Sequence, residues 1–107
     1  MISRHWRGLA KPDRASDYEE HLRTETFPGL VRIAGFLGAD IFKRPVESGV
    51  EFVVISRLAS ADAIAKFAGA DIEAAVIPAK IQSMMIDYDR RARHYEFVEL
   101  EDRERSS

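Results

Sequence analysis

The stretch Val50-Glu-Phe-Val-Val-Ile-Ser-Arg-Leu58 constrains this chain more than any other. It is almost continuously apolar, rich in β-branched residues and about one strand long, with Gly49 before it and a helix-start signal at Ser60 after it. A short run of this kind reads as a strand covered on both faces, because neither face is polar enough to be left in water. A small domain usually places such a strand in the middle of its sheet, and the other elements are arranged about it here.

Residues 2–10 predict a first strand, with Ile2, Arg4, Trp6 and Gly8 on one face and Ser3, His5, Arg7 and Leu9 on the other. Lys11-Pro12-Asp13 breaks it, and Asp13 is placed to cap a helix over 14–26. Ala15, Tyr18 and Leu22 give that helix a narrow apolar stripe, and Glu19 and Arg23 can pair on its wet side. Phe27-Pro28-Gly29 predicts its end, with one further short turn through Leu30, Val31 and Ile33. Residues 36–44 predict a second strand in which Gly38 weakens the pairing or marks a bulge. Pro45 through Gly49 turns this strand into an antiparallel hairpin with the central one. Ser60 and Asp62 open a second helix, with Ala61, Ile64, Phe67 and Ala68 facing inward and Gly69 as its stop. A short helix is expected from Asp71 through Val76, another helical turn within 79–87, and a last strand from about Arg93 to Leu100. The domain spans 1–100, and the charged tail 101–107 is expected to fray.

The order strand–helix–strand–strand–helix–strand, joined by right-handed crossovers, gives an α+β fold. It is a ferredoxin-like βαββαβ sandwich with a four-stranded antiparallel sheet and both helices on one face. Phe42, Val53, Ile55 and Phe97 supply apolar side chains to both faces, so the open face implies a partner. The simplest is a second copy, sheet against sheet about a two-fold axis.

Composition excludes several functions. A net charge of −2 argues against a nucleic-acid protein that relies on bulk charge. The central strand also lacks the basic residue and two of the aromatics of an RNA-recognition strand. The chain has no cysteine, hence no disulfide, thiol nucleophile or thiolate metal site. No apolar run approaches the ~20 residues of a membrane span, and the N-terminus has no secretory pattern. A cytoplasmic protein is expected. His5, His21 and His94 show no metal-ligand spacing, and no serine lies in a G-x-S-x-G context.

Arg4 and Trp6, Glu51-Phe52 and Ser56, the run Phe67-Ala-Gly-Ala-Asp71-Ile-Glu-Ala-Ala-Val76 and the closing His94-Tyr95-Glu96 together resemble the antibiotic-biosynthesis monooxygenase-like family of the dimeric α/β-barrel superfamily. The resemblance covers roughly residues 2–100. It implies a homodimer, formed through the open sheet face as a dimeric α/β barrel, with a ligand cavity between sheet and helices in each subunit. Characterised relatives include cofactor-independent oxygenases of aromatic polyketides or quinols, and haem-degrading enzymes. Active members commonly use an asparagine on the first strand, a tryptophan on the second helix and, in the haem branch, a histidine beyond it. This chain contains no asparagine. By rough alignment Trp6 stands near the asparagine's place, Lys66 or Phe67 near the tryptophan's and Val76 near the histidine's, so haem degradation by that constellation is not expected.

The expected activity is monooxygenation of an aromatic, quinol or polyketide-like molecule without a tightly bound cofactor. The alternative is a non-catalytic dimeric module that binds a small apolar ligand or only mediates association. His94 is the candidate base, with packing at a strand start as its other reading. Arg4 is the candidate stabiliser of a substrate anion. Trp6 and Phe67 are candidate walls for an aromatic ligand, Arg57 could orient a substrate oxygen, and Tyr88 could hydrogen-bond a ligand hydroxyl. For Arg4, Arg44 and Arg57, pairing with Glu51 or Glu96 across the sheet is the competing role.

Overall fold

The computed structural model describes residues 1–100. The tail expected to fray lies outside the described residues. The sheet contains β1 (Ile2–Ala10), β2 (Phe36–Val46), β3 (Gly49–Leu58), β4 (Met85–Tyr88) and β5 (Arg93–Glu96). Its order is β2-β3-β1-β4, with β5 also paired to β1 and every pairing antiparallel. The apolar run around Val53 is therefore an inner strand, between β2 and β1. The helices are α1 (Ala15–His21), α2 (Phe27–Val31), α3 (Ala61–Ala68) and α4 (Ala79–Gln82). This is the ferredoxin-like α+β sandwich that the order of elements predicts, with its last strand in two pieces.

The chain departs from the sequence reading in several places, and its last strand ends at Glu96. Asp13 does not cap α1, because the N-cap is Arg14 and its side chain makes no capping bond. Nor does the first helix stop at Phe27-Pro28-Gly29. A π-helical turn over Leu22–Thr26, in which the Phe27 amide donates to the Leu22 carbonyl, carries it into α2. Pro28, which has no N–H to give, follows directly on this π turn. The hairpin is tighter than expected, with Pro45 paired to Val50 and Val46 to Gly49. β2 is an edge strand, which is where a sheet tolerates proline. The bulge expected at Gly38 is present between Phe36 and Gly38, with φ +149° at the glycine.

The last two departures belong together. Residues 71–76 do not form a helix, and within 79–87 the helical turn gives way to β4. After Asp89, whose amide still donates to the Arg7 carbonyl at 2.9 Å, the chain leaves β1 and pairs with the 73–75 segment before β5. The Ala75 amide donates to the Arg90 carbonyl at 3.0 Å and the Ala92 amide to the Glu73 carbonyl at 2.7 Å, around a bridge between Ala74 and Arg91. The Arg91 guanidinium holds the Asp71 carboxylate at 2.9 and 3.0 Å. Backbone groups that a helix would use internally are thus committed to a neighbouring chain segment.

Ser60 does cap α3, its hydroxyl accepting from the Ala63 amide at 3.3 Å, and Gly69 ends the helix with φ +86°. Ala63 and Ile64 supply its buried face, while Ala61 is exposed. The helices cover the face of Arg4, Trp6, Phe52 and Leu58. The opposite face carries His5, Arg7, Leu9, Val53, Ile55 and Phe42 in register, all half-buried or exposed. Its charges are paired: Glu51 accepts from Arg7 at 2.6 Å and from Arg44 at 2.7 Å, and Arg57 donates to Asp40 at 2.6 Å.

Candidate functional site

The buried core comes in two parts. One gathers Trp6, Ala10, Tyr18, Leu22, Phe52, Ile81, Met84 and Met85, and the other Leu58, Ala63 and Ile64 with Ile2 packed against them. On β1, Ile2 belongs to the second cluster and Trp6 to the first. Between them stands Arg4, on the wall of a cavity of about 480 Å³. That volume is in the range of small-molecule sites. Its sheet side is Arg4, Trp6, Val54 and Ser56, and its helix side includes Tyr18, His21, Leu22 and Glu25. Lys66 and Phe67 of α3 and the 75–78 segment complete it.

Arg4 is 5% exposed. The register of the sheet sets Ser56, Arg4 and His94 in one row across β3, β1 and β5 on the helix-covered face. The Arg4 guanidinium donates to the carbonyls of Ile72 and Ala74, the latter at 2.8 Å, and to His94 Nε2 at 2.7 Å. It also lies 5.5 Å from the Phe67 ring centroid. Those bonds leave its Nε–H and one Nη2–H without a protein partner among the described residues. No carboxylate pairs with it there. Burial lowers its pKa, yet an arginine stays charged in a protein. The cavity wall therefore holds a positive charge whose counter-ion the described residues do not supply.

Because a guanidinium can only donate, His94 Nε2 is the acceptor in their bond and the ring proton sits on Nδ1. Burial first, and then the charge of Arg4, lower the His94 pKa, against a weaker pull from Glu73. His94 is thus held neutral behind Arg4, and it does not line the cavity.

Trp6 and Phe67 do line it. The Trp6 indole is 8% exposed, and its Nε1–H donates to the Asp89 carbonyl at 2.7 Å. Its ring lies over Gly8, where an added Cβ would come within 2.8 Å of an indole carbon. Arg57 is on the opposite sheet face in its pair with Asp40. Tyr88 packs beside the first core cluster, with the Arg90 guanidinium 4.9 Å from its ring centroid, and is outside the cavity. The fold thus brings Arg4, Trp6 and Phe67 to one cavity, sets His94 behind Arg4, and keeps Arg57 and Tyr88 apart from them.

Three polar groups of the cavity carried less weight in the sequence. Tyr18 is 3% exposed and Ser56 7%, and neither hydroxyl has a protein partner among the described residues. Neither is sealed from solvent-sized space, so both hydroxyls remain open to the cavity they line. Burial raises the Tyr18 pKa, keeping the phenol protonated. The third group is a pair: His21 Nδ1–H donates to Glu25 Oε2 at 2.8 Å, and Lys80 Nζ reaches the same oxygen at 3.4 Å. The His21 bond first, and then Lys80, hold the Glu25 carboxyl below its usual range. Spacing was the available signal. His21 follows Tyr18 by three residues and Glu25 follows Leu22 by three, which sets the pair along the edge of the apolar stripe. Among the described residues no three His, Asp or Glu side chains gather where they could share a metal ion, and no helix is long and apolar enough to cross a membrane.

No family model matches the sequence, and no curated protein does. Solved structures match the fold over almost the whole chain. A Bacillus cereus protein provisionally named an antibiotic biosynthesis monooxygenase superposes with a TM-score of 0.64 at 16% identity, covering 96% of this chain and 98% of its own. The protein Rv0793 of Mycobacterium tuberculosis superposes with a TM-score of 0.60 at 17% identity, covering 95% of this chain and 97% of its own. At these identities the likeness establishes a shared fold.

Proposed function

We propose that this chain is a small monooxygenase-like enzyme, working as a homodimer, that oxidises a phenolic or quinol-like aromatic molecule with dioxygen. One observation carries the proposal: the buried, acid-free Arg4 guanidinium on the wall of a largely apolar cavity. A buried charge without a counter-ion favours a ligand that brings or develops a negative one. Trp6 and Phe67 offer flat surfaces to an aromatic ring, and Tyr18 and Ser56 offer open hydroxyls to its oxygens. The fold shared with a protein named as a monooxygenase supports the same reading by analogy.

The chemistry balances without a further reductant. A phenol and dioxygen give a quinone and water: one oxygen atom becomes the new carbonyl, the other leaves as water, and the substrate supplies the four electrons. Removing the phenolic proton comes first, because the anion reduces dioxygen far more readily. Arg4 stabilises that anion. Dimerisation through the open sheet face would cover Leu9, Phe42, Val53 and Ile55.

The test is oxygen uptake by the purified dimer with a panel of hydroquinones and polyketide-like phenols and no added cofactor. Uptake should require the protein and fall at least tenfold in Arg4→Lys, which keeps the charge and loses the planar fork. No uptake from a protein that sediments as a folded dimer would overturn the oxygenase and leave a ligand-binding module.

A further inference from the structure

We infer that the His21–Glu25 pair accepts the proton of a phenol bound in the cavity, and that its ligands are conjugated aromatics with polar atoms on opposite edges, one at His21 and one at Arg4. The inference deepens the reading above and rests on it.

The tautomer of His21 follows from its partner. A carboxylate only accepts, so the Nδ1 that meets Glu25 carries the proton, and Nε2 of the neutral ring carries the lone pair. Nε2 has no protein partner among the described residues. The His21 side chain is 12% exposed and lines the cavity, so the cavity is where that lone pair can be met. Glu25 both orients the ring and stabilises the imidazolium that protonation would form, as the carboxylate of a carboxylate–histidine base does. The charged groups facing His21 are Glu25 on its own helix, Lys80 of α4 acting through Glu25, and Lys66 and Arg4 across the cavity. The cations oppose an imidazolium on its own but favour one formed together with a ligand anion.

His94 is unsuited to the same task. Its Nε2 already accepts from Arg4, so taking a proton there would break that bond and set an imidazolium against a guanidinium. Its place makes it a positioning residue for Arg4.

His21 stands on the helix wall and Arg4 on the sheet wall. A ligand that gives its proton to one and its charge to the other needs a conjugated path between two edges. Hydroxylated aromatic ketones whose carbonyl is conjugated with the phenol, fused-ring ones among them, have it. In the step, the phenolic O–H bond breaks, an N–H bond forms at Nε2, and the electron pair spreads through the ring to the far oxygen.

The full chain with 4-nitrophenol and 3-nitrophenol tests this. Ionisation of the first sends charge into its far nitro group, while in the second it does not. Trp6, the chain's single tryptophan, reports occupancy through its fluorescence. Phenolate absorbance reports ionisation, and ¹⁵N spectra of the imidazoles report which histidine holds the proton. We expect both probes to quench Trp6. Bound 4-nitrophenol should ionise with a constant at least tenfold larger than in water, 3-nitrophenol should gain much less, and the new imidazolium should be His21. The gain should shrink in Glu25→Gln and vanish in His21→Gln while quenching persists. Quenching with unchanged ionisation, or with the proton on His94, would overturn the base assignment and leave the cavity reading standing. Equal gains for the two probes would overturn the opposite-edge ligand class. No quenching by either probe would overturn the cavity reading and this inference with it.

Discussion

Each side of the cavity has a histidine in a hydrogen-bonded pair, and the pairs work in opposite senses. Behind the sheet wall His94 accepts from a cation; on the helix wall His21 donates to an anion. The first arrangement uses the lone pair and keeps the ring neutral, whereas the second leaves the lone pair free. The backbone differs along the same division. Arg4 and His94 sit on paired inner and edge strands, tied to the 72–74 backbone, while His21 and Glu25 sit on a helix that passes through a π turn. Identical side chains thus acquire different chemistry from their partners, and the two walls should respond differently to substitution.

The largest effect is expected from Arg4→Met. It removes the cavity's charge and leaves the Ile72 and Ala74 carbonyls and His94 Nε2 without their donor. Urea unfolding should show a loss of about 3 kcal/mol or more, since each buried polar group left unpaired costs about 1–3 kcal/mol. A loss under 1 kcal/mol would mean that the Arg4 bonds do not hold the sheet wall together. Gly8→Ala strikes the same wall by crowding. Its Cβ would displace the Trp6 ring and strain the indole bond to Asp89, at a cost of about 1–3 kcal/mol by overpacking. A blue- or red-shifted Trp6 emission in the folded variant would register the displaced ring.

The histidine variants sharpen the contrast. His94→Ala leaves an Arg4 N–H without its acceptor and should cost about 1–2 kcal/mol in the same assay. His21→Gln should barely move the unfolding midpoint, because its partner Glu25 is exposed and solvent screens an i,i+4 pair. Turnover should rank them the other way, with His21→Gln the more damaged. If both variants lose stability and activity in proportion, the histidines have one structural role, and the division between walls fails.

Much of the fold was legible because its signals are local and strong. The β-branched run at Val50–Leu58, the Ser60 cap and the Gly69 stop each follow from a few neighbouring residues. The illegible parts depend on distant partners. Nothing near Asp71–Val76 announces that Arg4 and Arg90–Ala92 will claim its backbone, so a helical pattern there misleads. Within the site, Arg4 and Trp6 stood out because a charge and a large ring alternate on one strand face. Their meeting with Phe67, and the separation of Arg57 by the sheet itself, needed the register of β1 against β3. The His21–Glu25 spacing was visible, but only the cavity distinguishes it from an ordinary surface pair.

The smallest expected effect is a slope of stability with pH. His94 and His5 both have pKa values lowered from 6.5 in the folded chain. Burial is the larger cause in each, followed by Arg4 for His94 and Arg93 for His5. The unfolded chain therefore binds protons near pH 6.5 that the folded chain refuses. Their contribution is fully present above about pH 6.5 and declines as pH falls from there toward the lowered folded values. Glu25, lowered from 4.5 by the His21 bond and then Lys80, and Glu51, lowered by Arg44 and then Arg7, lose their contributions only at more acidic pH. Urea midpoints taken between about pH 7 and 5 should thus fall with acidity, less steeply in His94→Gln. A slope that His94→Gln leaves untouched would place the whole effect on His5, on the open face. The neutral, guanidinium-bound state of His94 would then contribute nothing that folding can feel.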